Sequence, residues 1–98
     1  MSRFSDKVVV VTGASAGIGR AASLRFASEG ASVVAVDMKE ETLNETVALI
    51  ETAGGKAHAV VADVTVSSQV ENYITQATDV FGGVDVLFNN AGIEGHVA

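Results

Sequence analysis

The sequence predicts an α/β fold built on a parallel sheet, on the basis of three observations. Short apolar runs typical of buried strands alternate with longer stretches in which apolar residues recur at helical spacing. Glycines punctuate the boundaries between many of these segments. Each of the four strand-like runs is joined to the next by a helix-like stretch, which favours right-handed crossovers between parallel strands. The predicted order of elements is therefore β-α-β-α-β-α-β.

The first strand, predicted over Lys7 to Thr12, contains four consecutive valines and is followed at once by three glycines. An uninterrupted apolar run is typical of a strand that is buried on both faces. The glycines, Gly13, Gly17 and Gly19, have the spacing G-x-x-x-G-x-G, and a helix-like stretch begins at Ile18. A helix N-terminus after a glycine turn presents free N–H groups and the positive end of its dipole, so this segment indicates a nucleotide-phosphate site.

Each glycine has its own expected role. Gly13 permits the tight turn through a positive φ, Gly17 lets a pyrophosphate approach the backbone, and Gly19 lets the helix pack closely on the strand. The predicted cofactor-binding segment also includes these loop residues: Ser15, Ala16 and Ile18. Glycines that only make a turn remain the simpler alternative. No Lys-Ser or Lys-Thr follows the last glycine, which excludes the phosphate loop of NTPases.

The remaining elements follow in order along the chain. The first helix is predicted to bury Ile18, Ala22 and Phe26 with Ala21 beside them, to face Arg20, Arg25 and Glu29 the other way, and to end at Gly30. The later strands are predicted over Ala31 to Val36, Ala57 to Ala62 and Val84 to Phe88. The second helix is predicted over Lys39 to Ala53, with Leu43, Val47 and Ile50 buried. The third is predicted to start with a capping box, Ser68-x-x-Glu71, and to bury Val70, Ile74, Ala77 and Phe81.

Four candidate sites fall at the carboxyl ends of the predicted strands. The glycine loop follows the first strand, Asp37 the second, Asp63 the third and Asn90 the fourth. By analogy with Rossmann folds, we expect a doubly wound sheet of strand order 3-2-1-4, incomplete in this chain. Such a sheet places its ligand crevice at the carboxyl ends of the first and fourth strands. All four sites are therefore expected along one edge of the sheet.

Two motifs resemble those of the short-chain dehydrogenase/reductase family: Thr12-Gly13-x-x-x-Gly17-x-Gly19 and Asn89-Asn90-Ala91-Gly92. The resemblance covers nearly the whole chain but only the N-terminal part of a typical member. It implies that residues 1–98 are the NAD-binding part of an oxidoreductase that transfers hydride between NAD(H) and an alcohol or carbonyl substrate. It further implies that the complete protein is a homo-oligomer.

The resemblance also implies individual contacts. Asp63 would bind the adenine amino group and the backbone of Val64 the adenine ring. Asn90, Ala91 and Gly92 would line the adenosine ribose and tie the central strands together. For Asp63, a simple role at the entry to a helix is the alternative.

Asp37 is placed to accept hydrogen bonds from the adenosine ribose, because it ends the second strand shortly after the glycine loop. Its charge would repel a 2′-phosphate, and Ala16 rather than a basic residue precedes Gly17. We therefore expect NAD to be preferred over NADP. The alternative role is an N-cap for the following helix, and both roles could hold.

The family's catalytic Ser and Tyr-x-x-x-Lys have no counterpart, since Tyr73 is followed four residues later by Ala77. We therefore predict no catalytic residue and no turnover by this chain alone, and Tyr73 is interpreted as a packing residue. Two other functions remain open. One is a stand-alone nucleotide-binding or regulatory module; the other is a methyltransferase, which also uses a glycine loop and an acidic residue after its second strand.

Charge, cysteine content and the length of apolar runs predict which partners and which cellular location to expect. A net charge of −6 disfavours nucleic acid and anionic membranes as partners. There is no cysteine, the N-terminus is polar, and no apolar run is long enough to span a bilayer, so we expect a cytoplasmic protein. His58 and His96 lack further ligands at suitable spacing, and no metal site is predicted.

Overall fold

The alternation of strands and helices predicted from the sequence is confirmed. The computed structural model describes residues 4–63 and 65–90. Its elements are β1 (Val8–Thr12), α1 (Gly17–Ser28), β2 (Ser32–Asp37), α2 (Glu40–Thr52), β3 (Lys56–Val61), α3 (Ser67–Phe81) and β4 (Val86–Asn89). Three predicted contact residues, Val64, Ala91 and Gly92, lie outside the described residues, as does His96.

The four strands form one parallel sheet in the order β3-β2-β1-β4, which is the predicted order. In the register of the sheet, Val10 at the centre of β1 lies opposite Val34 of β2 and Leu87 of β4. The glycine loop therefore leaves the sheet between the ends of β2 and β4, where strand order reverses and ligands of doubly wound sheets bind.

Two apolar clusters, one on each face of the sheet, explain why β1 consists of valines. Val8 and Val10 pack with Tyr73 of α3 on one face. Val9 and Val11 pack with α1 and α2 on the other. Side chains alternate between the two faces along a strand, so covering both faces with helices makes every position of β1 an interior position.

The first helix departs from its predicted packing. Ile18 is 66% exposed and Ala21 is also exposed. The helix buries Gly19 and Ser23 instead, with Phe26 partly buried as predicted. The cause lies at Gly19, whose face of the helix must approach the backbone of Gly13, and this turns Ile18 outward.

The predicted capping box of the third helix is wrong. Helix α3 begins at Ser67 with Val66 as its N-cap residue, and no side chain caps it. Ser68 is thus already the second helical residue rather than the cap. The predicted face of the helix packs as expected, together with Tyr73. None of the helices in the described part of the chain has both the length and the apolar character needed to cross a bilayer.

Candidate functional site

A cleft of about 240 Å³ opens at the carboxyl ends of β1 and β2. It is lined by Gly13, Ser15, Ala16, Asp37, Lys39 and Thr42. The fold thus brings the glycine loop and Asp37 together in one concave surface. Asp63 and Asn90 lie at the same edge of the sheet but do not line this cleft.

The glycine loop has the backbone geometry that its sequence requires. Gly13 and Gly17 have φ values of +65° and +56°, in the region that side chains disfavour. A Cβ added at Gly19 would lie 1.8 Å from the carbonyl oxygen of Gly13, so only glycine permits this approach of α1 to β1. A Cβ added at Gly17 would meet nothing within 4 Å, which leaves the loop open on that side.

Helix α1 begins without a side-chain cap. Its N-cap residue, Ala16, has extended backbone angles and no polar side chain, and the first turn contains no acidic residue. The N–H groups of a first helical turn have no partners within the helix. This end of α1 is therefore suited to an anionic group, because free donors and the helix dipole point the same way.

The carboxylate of Asp37 links the end of β2 to the glycine loop. Its Oδ2 accepts the N–H of Ser15 at 3.1 Å, and its Oδ1 accepts the N–H groups of Met38 at 2.7 Å and Lys39 at 3.4 Å. Asp37 does not cap α2, whose N-cap residue is Lys39. A carboxylate has about four acceptor positions, so three donors leave capacity for one more.

Arg20 joins α1 to α2, whereas the sequence predicted that it would lie on the polar side of α1, away from the packed face. Its Nε donates to Oγ1 of Thr46 at 2.8 Å, and its Nη2 donates to the carbonyl of Thr42 at 2.8 Å. Thr46 in turn donates to the carbonyl of Ala14 at 2.8 Å. Arg20 reaches these groups because α1 and α2 pack side by side on one face of the sheet.

Thr46 does not line the cleft but holds the glycine loop from behind it, and it was not predicted from the sequence. It is fully buried, between the buried Leu43 and Ile50 on the same face of α2. A hydroxyl at i+3 from one buried residue and i−4 from the next was the signal, because a buried hydroxyl requires a hydrogen-bond partner.

Asp63 is engaged only near its own position in the chain. Its Oδ1 accepts both the hydroxyl of Thr65 at 2.6 Å and the N–H of Thr65 at 2.9 Å. These two bonds lower the pKa of the Asp63 carboxyl, the hydroxyl contributing most. Its own N–H donates to the side chain of Gln69 at 2.5 Å. These bonds lie in the segment that leads into α3, but neither Asp63 nor any other side chain caps that helix.

The asparagines after β4 connect the two central strands. Asn89 accepts a hydrogen bond from the Thr12 hydroxyl at 3.1 Å, and Nδ2 of Asn90 donates to the carbonyl of Gly13 at 3.4 Å. Asn90 is buried, and its Oδ1 has no hydrogen-bond partner among residues 4–63 and 65–90. The two asparagines therefore link β4 to β1 and its glycine loop, while Ala91 and Gly92 of the same motif lie outside the described residues.

Two side chains with potential chemistry, Tyr73 and His58, do not line the cleft. Tyr73 is only 4% exposed within the cluster under β1 and β2, and burial raises its pKa. His58 on β3 is hydrogen-bonded through Nε2 to the side chain of Gln76 on α3 at 2.8 Å. No group of three potential metal ligands occurs in the part of the chain that the structure describes.

Comparison with known proteins decides the family. The family model for short chain dehydrogenases matches residues 7–98. This chain belongs to the short-chain dehydrogenase family. The resemblance found in the two sequence motifs is thereby confirmed, and so is the Rossmann-type fold class.

Curated relatives extend well beyond the matched region. Levodione reductase of Leifsonia aquatica is 47% identical over 96 residues, covering 96% of this chain and 36% of that protein. 3beta-Hydroxysteroid dehydrogenase 1 of Eggerthella lenta is 52% identical over 89 residues, covering 90% of this chain and 34% of that protein. The chain therefore spans about a third of the length of these relatives.

Solved structures have the same fold over this region. Hydroxysteroid dehydrogenase from Escherichia coli matches with a TM-score of 0.87 and 37% identity, over 89% of this chain and 37% of that one. Glucose dehydrogenase of Caenorhabditis elegans in its apo form matches with a TM-score of 0.87 and 40% identity, over 91% and 39%. Membership of the family assigns the chain to an oxidoreductase family.

Proposed function

We propose that residues 1–98 are the N-terminal, NAD-binding part of an oxidoreductase that transfers hydride between NAD(H) and an alcohol or carbonyl substrate. One observation carries the proposal: an uncapped helix N-terminus and the Asp37 carboxylate meet at one cleft. An anion and a hydroxyl-bearing group joined in one ligand match this pair of features, and a dinucleotide contains both.

Different residues of the site would contact different parts of the dinucleotide. The open backbone at Gly17 and the first turn of α1 would hold the pyrophosphate, while the remaining acceptor position of Asp37 would take a hydroxyl of the adenosine ribose. Asp63 and Asn90, at the ends of the flanking strands, would contact the adenosine end. The nicotinamide supplies the hydride chemistry when bound.

Under this proposal, residues 1–98 alone contain no proton donor for acid–base catalysis. Tyr73, its one tyrosine, is packed beneath the sheet, and no Lys follows it four residues later. General acid–base groups contribute about 10²–10⁴-fold to rate, so we expect no carbonyl reduction by residues 1–98.

NAD is the proposed cofactor because Asp37 is charged. A 2′-phosphate about 4 Å from this carboxylate would cost roughly 4 kcal/mol per charge pair at an effective dielectric near 20, before screening by salt. Lys39 is the neighbouring cation in the cleft, and it is exposed to solvent.

Titration of the protein expressed from its natural reading frame tests the proposal. NAD should bind more tightly than NADP, and S-adenosylmethionine should not compete. Preferential binding of S-adenosylmethionine would favour a methyltransferase and would contradict the proposal. Binding of NAD without turnover of any alcohol or ketone would favour the stand-alone module.

Gly17→Val should abolish NAD binding while leaving the helix content intact. The branched side chain would occupy the space through which the pyrophosphate approaches, at a residue whose φ is +56°. Gly54→Val is the matched control, because Gly54 also has a positive φ and open space but lies at the end of α2. Circular dichroism and a binding titration separate the effects, and NAD binding by folded Gly17→Val would remove the loop from the site.

A further inference from the structure

One peptide unit of the glycine loop is held at both of its polar ends. The carbonyl of Ala14 accepts the Thr46 hydroxyl at 2.8 Å, and the N–H of Ser15, in the same planar unit, donates to Asp37 at 3.1 Å. The N–H of Ala14 donates to the carbonyl of Val36 at 3.1 Å. The orientation of this unit is therefore determined by α2 on one side and β2 on the other.

Arg20 donates to the Thr46 hydroxyl, and the distances to two carbonyls then decide where that hydroxyl donates. The guanidinium can only donate, and its Nε occupies a lone pair of Oγ1 at 2.8 Å. The hydroxyl proton remains for an acceptor, and the Ala14 carbonyl at 2.8 Å is closer than the Thr42 carbonyl at 3.4 Å. Thr46 is wholly buried, so water cannot replace either bond.

We propose that Thr46 and Arg20 are positioning residues for the pyrophosphate of a bound dinucleotide. They fix the Ala14–Ser15 peptide unit, and this unit sets the course of the loop into the first turn of α1, whose N–H groups would meet the phosphates. Neither Thr46 nor Arg20 lines the cleft, so both act through the loop rather than by contact. The inference rests on the proposed dinucleotide function.

Thr46→Val is the direct test, because it keeps the shape of the side chain and removes the hydroxyl. Affinity for ADP-ribose, which contains the pyrophosphate, should fall about tenfold, the loss expected when a buried carbonyl loses its donor. Affinity for adenosine, which has no phosphate, should be unchanged. Thr46→Ser, which restores the hydroxyl, should restore ADP-ribose binding. Thr52→Val, the same change at an exposed position of α2, is the matched control.

Arg20→Met tests whether the arginine acts through Thr46, and it serves as the main variant if Thr46→Val does not fold. Added to Thr46→Val, it should weaken ADP-ribose binding no further, whereas direct attraction between Arg20 and the phosphates would make the two losses additive. Titrations of adenosine and ADP-ribose by NMR or calorimetry measure both affinities in the protein expressed from its natural reading frame.

The possible failures are distinguishable. Equal ADP-ribose affinity in the unmodified protein and Thr46→Val would overturn the inference alone. An equal loss of adenosine and ADP-ribose binding would also overturn it, because the substitution would then disturb the whole binding site rather than the position of the pyrophosphate. An unmodified protein that binds no ADP-ribose would overturn the proposed function and the inference together.

Discussion

Asp37 and Asp63 occupy equivalent places in the sequence but not in the molecule. Each follows the apolar core of a parallel strand and precedes a helix, at the same edge of the sheet. Asp37 accepts a hydrogen bond from Ser15, 22 residues away, whereas the Asp63 carboxylate is bonded to Thr65, two residues on. The difference follows from strand order: β2 lies beside β1 and its glycine loop, and β3 lies beyond β2.

Gly19→Ala should have the largest effect of these substitutions. It should disturb the surroundings of Asp37 but not those of Asp63. The new Cβ would lie 1.8 Å from the Gly13 carbonyl, so the backbone must move and the link between Asp37 and Ser15 should break. We expect a loss of about 3 kcal/mol or more in the free energy of unfolding, at the upper end for overpacking. Denaturant unfolding measures it.

Gly17→Ala is the control for that measurement. Its Cβ would meet nothing within 4 Å, so only the positive φ is penalised, by about 1–2 kcal/mol. In Gly19→Ala the amide resonance of Ser15 should shift while that of Thr65 stays in place. Equal destabilisation by the two substitutions would show that the close packing at Gly19 has little energetic weight.

The sequence was sufficient for the parts of the structure that depend on local patterns. The valines of β1 and the glycine spacing predicted a doubly buried strand followed by a tight turn, and both are present. The face of α2 was also predicted, since Leu43 and Ile50 are fully buried. Each of these features follows from periodicity or from the conformational freedom of glycine.

The errors and omissions arise where two distant segments meet. Ile18 is apolar and has helical spacing, yet Gly19 is the residue that contacts β1. The nearest acceptor of the Thr46 hydroxyl is the backbone carbonyl of Ala14, 32 residues earlier, and a carbonyl has no signature in the sequence. Contacts between a side chain and a distant backbone group depend on tertiary packing, so residue types alone do not predict them.

The next largest effect should be on the preference for NAD over NADP. Asp37→Ala and Asp63→Ala compare the two carboxylates by this preference. Asp37→Ala should narrow the preference for NAD over NADP by roughly 2–3 kcal/mol, because it removes both the ribose acceptor and the charge that repels a 2′-phosphate. Asp37→Ala also removes the bond to Ser15, and this loss should lower the affinity for NAD and for NADP by the same factor. Asp63→Ala should leave the preference unchanged, and an unchanged preference in Asp37→Ala would mean that Asp37 serves only the loop.

Thr65→Val tests the other side of the comparison and should have the smallest effect. The Thr65 hydroxyl is the largest cause of the lowered pKa of Asp63, so its removal should raise that pKa toward the ordinary carboxyl value. A carboxyl whose pKa is depressed by folding stabilises the fold above its unfolded pKa, and this contribution is lost as pH falls through the folded pKa. The difference in stability between the natural protein and Thr65→Val should therefore be present at neutral pH and vanish in acid.

NMR titration of the Asp63 carboxyl carbon measures the shift directly, and Thr65→Ser, which keeps the hydroxyl, should retain the lowered pKa. An unchanged pKa in Thr65→Val would assign the effect to the Thr65 N–H, the second donor to the same oxygen.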